Sequence, residues 1–184
     1  MLFTLFVVQI MKSIKNMELR SYMTISNFMY SEGEIANVFN ERVEFNFSGT
    51  KEFFFDNNFI KGKAEYLSGK LHGLFYIYNL VGIPLVIGNF ENGELNGELK
   101  CFDNEGLIKN KFYYENGEKI GRVYDYQNGV LFSEYDIKKE ELHGESIDYY
   151  FNGNIKLMEN YNKDMLHGTV KSYYMNGQLN EDLY

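Results

Sequence analysis

The chain has 184 residues and a formal net charge of −8, with 45% apolar residues, 16 Tyr and 16 Phe. That length suits one domain with a real core, and the apolar content excludes a disordered chain. The acidic balance argues against nucleic acid and anionic membrane surfaces, since both need a positive footprint.

Residues 1–11 read MLFTLFVVQIM, apolar but shorter than the roughly 20 residues a spanning helix needs. No basic residue precedes them, and no small-x-small cleavage site comes after them in KSIKNMELR. Three readings stay open for segment 1–29: a secretory signal, a start set too early with Met11 or Met17 as the true beginning, or a helix or strand capping the rest of the chain. Cytoplasmic location is expected, with export if residues 1–20 act as a signal. Lys12, Lys15 and Arg20 against Glu18 give residues 1–30 a charge of +2, which leaves −10 on residues 31–184.

From about residue 30 onward the chain repeats. Glycines in an Asn-Gly-type turn stand at Gly33, Gly82, Gly106, Gly129, Gly153 and Gly177, with Asn58 in the same slot, in steps of 23 to 25. A second series closes Leu-His-Gly or its equivalents at Gly49, Gly73, Gly97, Gly121, Gly144 and Gly168, in steps of 23 or 24. With Gly69, Gly93 and Gly117, 15 of the 17 glycines fall on this lattice. A period of this length is the mark of a repeat architecture.

Each unit reads as two strands and two turns. A strand ending in aromatics (52–55, 74–78, 145–150, 169–174) leads to Asn-Gly, which favours a two-residue hairpin turn with positive φ at both central positions. A second strand comes next (107–114 and 154–161 are clear copies), then turn chemistry again at 69–73 and 93–97. The predicted fold is therefore all-β, an elongated single sheet of stacked antiparallel hairpins advancing roughly 10 Å per unit.

Parity predicts the faces. Ile60, Ile108, Leu131, Ile155 and Leu179 lie two past the anchor, and Tyr66, Phe90, Tyr114 and Tyr161 lie eight past it. Six is even, so both rows are expected on one face. A third row comprises Phe54, Tyr78, Phe102, Tyr126, Tyr149 and Tyr173. Pro84 predicts a local bulge or edge-like strand, and the stretch 135–144 predicts a connection that protrudes.

YYFNGNI (149–155), YYMNGQL (173–179), YLSGKLHG (66–73) and FENGELNG (90–97) carry a resemblance. The units resemble MORN repeats, specifically the bacterial variant group labelled YwqK-type and antitoxin-like. That resemblance covers about residues 30–184. It implies stacked hairpins, no catalytic residues, no cofactor, and a protein partner such as a toxin or effector.

Chemical candidates are few. His72, His143 and His167 share one slot a repeat or more apart, too far for a common metal ion, and Asn96 fills the same slot, so they read as turn residues. Cys101 lies mid-strand with no base nearby, and no phosphate-loop frame is present. The aromatics Tyr66, Phe90, Tyr114, Tyr135 and Tyr161 either form the core or leave part of their row open as a partner-binding groove. The glycines of the two turn series (Gly73, Gly97, Gly121, Gly144 and Gly168; Gly106, Gly129, Gly153 and Gly177) are read as structural. The expected function is non-enzymatic protein binding of an antitoxin or immunity kind, with an exported or envelope array as the alternative. Pairing of sheet edges between copies is a further option.

Overall fold

The computed structural model describes residues 31–183, so the readings of segment 1–29 lie outside the described residues. Contacts group the chain into Met1–Glu34 and Ile35–Tyr184, and the second unit holds the sheet.

Helix α1 (Glu32–Val38) opens the described chain. Ser31 and Glu34 cap it reciprocally: the Ser31 N–H donates to Glu34 Oε2 (2.5 Å), and the Glu34 N–H donates to Ser31 Oγ (3.2 Å). That hydrogen-bonding holds the Glu34 carboxyl below its ordinary pKa. Gly33 therefore lies in a helix and is not a turn anchor, which corrects the first member of that series. Ile35, Val38 and Phe39 recur at helical spacing and are all buried.

Hairpins occupy the rest. In chain order the strands are β1 (Gly49–Phe54), β2 (Ile60–Leu67), β3 (Lys70–Tyr78), β4 (Pro84–Glu91), the short β5 (Glu94–Leu95), β6 (Gly97–Phe102) and β7 (Ile108–Glu115). Then come β8 (Glu118–Gln127), β9 (Val130–Lys138), β10 (Glu141–Tyr149), β11 (Ile155–Asn162), the short β12 (Met165–Leu166), β13 (Val170–Tyr173) and β14 (Leu179–Leu183). They form one antiparallel sheet of 14 strands in sequence order, with β5 and β12 paired beside the main path. The all-β hairpin array is as the sequence predicts.

The two kinds of turn are distributed differently from expectation. Two-residue turns with positive φ at both positions close at Ser68-Gly69, Asn92-Gly93, Asn116-Gly117, Asn128-Gly129, Lys139-Glu140 and Lys163-Asp164. Of the Asn-Gly anchors, only Gly129 closes this way. At Gly106, the Gly106 N–H donates to the Asp103 carbonyl (3.1 Å) and the Asp103 N–H to the Leu107 carbonyl (2.9 Å). This is a three-residue turn with its glycine left-handed. The turns at Asn58, Gly82, Gly153 and Gly177 match it. The corner side chain fixes the geometry, since Asp103 Oδ1 accepts the N–H groups of Glu105 and Leu107, both at 2.9 Å. Asn79 does the same for Val81 and Ile83. Lys139-Glu140 takes the standard two-residue form, so 135–144 holds no protruding connection, and the shortened turn is Gln127–Val130.

Lys139 and Glu140 hold φ of 53° and 64°, values that strain most L side chains. Replacing the pair by Asn-Gly is expected to raise stability by about 1 kcal/mol, read as a higher midpoint in urea.

Leu-His-Gly is a bulge. Leu71 pairs with Tyr66 and Phe75 with Ala64, so residues 72–74 face Glu65 alone. Gly73 turns the chain there at φ 103°, and Glu65 Oε2 accepts the Leu74 N–H (3.0 Å). Residues 143–145 repeat this opposite Asp136, which accepts the Glu145 N–H (3.2 Å).

A second bulge recurs beside every anchor turn and decides the faces. Phe54 pairs with Ile60 but Phe53 with Gly62, leaving Lys61 extra. Leu85, Lys109, Phe132, Lys156 and Asn180 are extra in the other hairpins. Pro84 simply begins β4, an interior strand whose bulge is shared by every hairpin. Each bulge reverses parity, so the aliphatic row lies opposite the third aromatic row and on the other face from Tyr66. The expectation that aliphatic and aromatic rows share a face is corrected.

The core occupies the Tyr66 face. One ladder of cross-strand partners runs Phe53, Gly62, Ile77, Val86, Cys101, Asn110, Asp125, Ser133 and Asp148. It is apolar as far as Cys101 and polar beyond, with Asn110 donating to Asp125 (2.7 Å) and Ser133 to Asp148 (2.8 Å). Phe39 seals the apolar end edge-on against Phe53, Phe75 and Phe90, with centroids 5.2, 5.6 and 6.3 Å away.

Candidate interaction face

Tyr66, Phe90, Tyr114, Tyr135 and Tyr161 are 3–8% exposed. They serve the core, and the open groove envisaged along this row is replaced by buried rings. The reason is the alternation of the sheet. Their strand neighbours Glu65, Asn89, Tyr113, Glu134 and Asn160 point the other way and stay exposed or half-exposed.

That other face carries its own ladder across the twelve main strands: Glu52, Lys63, Tyr76, Ile87, Lys100, Lys111, Tyr124, Glu134, Ile147, Met158, Lys171 and Asp182. All except the buried Ile147 are exposed or half-exposed. Beside it runs the third aromatic row, each ring opposite an aliphatic or proline: Phe54 with Ile60, Tyr78 with Pro84, Phe102 with Ile108, Tyr126 with Leu131, Tyr149 with Ile155, Tyr173 with Leu179. Such cross-strand pairs hold register while leaving an edge of each ring in water.

The polar groups here are mutually fixed. Tyr76 and Tyr78 stack with centroids 6.1 Å apart, and burial foremost raises the Tyr78 pKa. Lys111 Nζ stands 3.9 Å from the Tyr124 ring centroid and 5.7 Å from that of Tyr113. Tyr113 donates to Glu98 (3.1 Å), and Lys100 lies 2.5 Å from the same carboxylate. The Lys100 hydrogen bond is the main reason the Glu98 carboxyl sits below its ordinary range.

Arg122 gathers three acids. Its Nε donates to Asp136 (2.8 Å), Nη1 to Glu134 (3.2 Å) and Nη2 to Glu145 (3.1 Å). Tyr149 donates to Glu134 (2.9 Å). Burial first, and then that bond, pushes the Tyr149 phenol up to about 12. The Asp136 bond foremost raises the guanidinium's pKa. One cation among three carboxylates leaves the cluster at −2, so a further cation meets a favourable potential there.

The remaining candidates fall where turns need them. The turn-series glycines all adopt positive φ, among them Gly97, Gly121, Gly168 and Gly153. His72 Nδ1 accepts the Asn92 N–H (3.4 Å), and the His167 N–H donates to the Asn160 carbonyl (2.8 Å). Among the described residues no three His, Cys, Asp or Glu side chains gather as a metal site. Cys101 is buried in the core, and that burial pushes its thiol up to about 12. No helix of the described residues is long and apolar enough to cross a membrane.

No protein-family model matches the sequence, and no curated protein matches it either.

Proposed function

We propose that this chain is a non-enzymatic protein-binding array whose contact surface is the open tyrosine face. The observation behind this reading is the seven half-exposed tyrosines on that face: Tyr76, Tyr78, Tyr113, Tyr124, Tyr126, Tyr149 and Tyr173. Tyrosine suits such a role because its ring is rigid, amphipathic and loses little entropy when covered. The partner is a protein with a basic segment. Residues 31–184 carry −10, and the Arg122 cluster offers two unneutralised carboxylates to an incoming Lys or Arg. The resemblance to antitoxin-like MORN-variant chains supports the same reading, with a toxin or effector as the natural kind of partner.

The test compares two immobilised proteins in lysate of the source cell: the native chain and the triple variant Tyr76→Ser, Tyr124→Ser, Tyr126→Ser. All three side chains are half-exposed, so the fold should survive, and circular dichroism checks that it does. One stoichiometric partner should bind the native chain, weaken at moderate salt, and be lost with the variant. A partner held equally by both proteins, or indifferent to salt, refutes the proposal.

A further inference from the structure

The two margins of the sheet differ, and neither belongs to the tyrosine face. Where the two-residue turns with Lys139-Glu140 and Lys163-Asp164 close, the margin mixes charged residues with the exposed Leu67 and Met165. The margin built from the anchor turns instead exposes an apolar tip at every hairpin: Phe59, Val81, Leu107, Val130, Phe151 and Met175, from 40% exposed at Leu107 to 78% at Val81. Neighbouring turns are in register, since the Asn152 and Asn154 side-chain amides both donate to the Met175 carbonyl at 2.9 Å.

This margin is also electrically neutral. Segments 55–61, 79–85, 103–109, 126–132, 150–156 and 174–180 hold Lys61, Lys109 and Lys156 against Asp56, Asp103 and Glu105, net zero, within a region of −10. We propose that the apolar turn margin is a self-association surface, taken by the same margin of a second copy.

Three arguments select that occupant. Two acidic copies repel, and a neutral strip is where they meet without like charges opposed. Tips spaced roughly 10 Å apart on one copy match the gaps between identical tips on another. Each tip exposes on the order of 100 Å². With Leu80 and Tyr174, also more than half exposed, the strip approaches the roughly 800 Å² that one partner contributes to a stable interface. A lipid surface fits less well, because a twisted sheet turns successive tips out of any plane.

Sedimentation velocity on the full chain across micromolar concentrations tests this. The native protein should form a concentration-dependent dimer, and Val81→Asp or Phe151→Asp should each weaken it at least tenfold with circular dichroism unchanged. Leu67→Asp, at an exposed site on the opposite margin, should leave the dimer intact. A native protein monomeric at 100-fold the concentration of its first detection overturns the proposal. So does a dimer indifferent to both tip changes or dissolved by Leu67→Asp, and so does a monomer that co-sediments with phosphatidylcholine vesicles.

Discussion

Phe39→Ala is expected to lower the unfolding free energy by about 3–5 kcal/mol, the usual range for deleting a buried phenylalanine ring. Phe39 is 4% exposed and meets three other rings edge-on. Truncation also removes the edge-to-face term, worth about 0.5–1.5 kcal/mol per pair beyond area. Urea unfolding should show the midpoint falling at an unchanged slope. A loss below about 1 kcal/mol would mean that the apolar end of the sheet does not depend on this ring.

Gly88→Val should be nearly as damaging, about 3 kcal/mol, by the opposite route of overpacking. A Cβ built on Gly88 comes within 2.7 Å of Leu99 Cδ1 and of two Phe75 ring atoms. Phe75 is 0% and Leu99 1% exposed, so neither can move aside. Adding Phe75→Leu to Gly88→Val should recover part of the loss, and a strictly additive double variant would contradict the clash. Gly62 is set in the same way, with Val38 Cγ1 2.8 Å and Phe39 Cε1 3.0 Å from where its Cβ would be.

Those two glycines show where sequence reasoning stops. Fifteen glycines lie on the repeat lattice, and all but the helical Gly33 announce turns and bulges by spacing alone. Gly62 and Gly88 lie off it because their cause is packing, which needs partners distant in sequence. The period, strand count and antiparallel pairing are legible because Asn, Gly and Asp at fixed offsets are local chemistry. The turn type also has a local signal, since Asn79 and Asp103 stand three residues before their glycines and accept the turn's own N–H groups. Likewise Ser31 and Glu34 mark a helix start around Gly33. The bulges have no such signal. Lys61, Leu85, Lys109, Phe132, Lys156 and Asn180 share no chemistry, yet each reverses the side on which the residue before it in its own strand lies. Parity counted without them puts the aliphatic row on the Tyr66 face, and leaves the third aromatic row, visible in the sequence, without a role.

Hydroxyl-radical footprinting of the native chain tests, tyrosine by tyrosine, which of the two aromatic rows lies open. Oxidation should be fast at Tyr76, Tyr78, Tyr113, Tyr124 and Tyr126 and slow at Tyr66, Tyr114, Tyr135 and Tyr161, with the difference vanishing in denaturant. Fast oxidation of the second group together with slow oxidation of the first would put the open face on the wrong side of the sheet, and the proposed contact surface would fall with it.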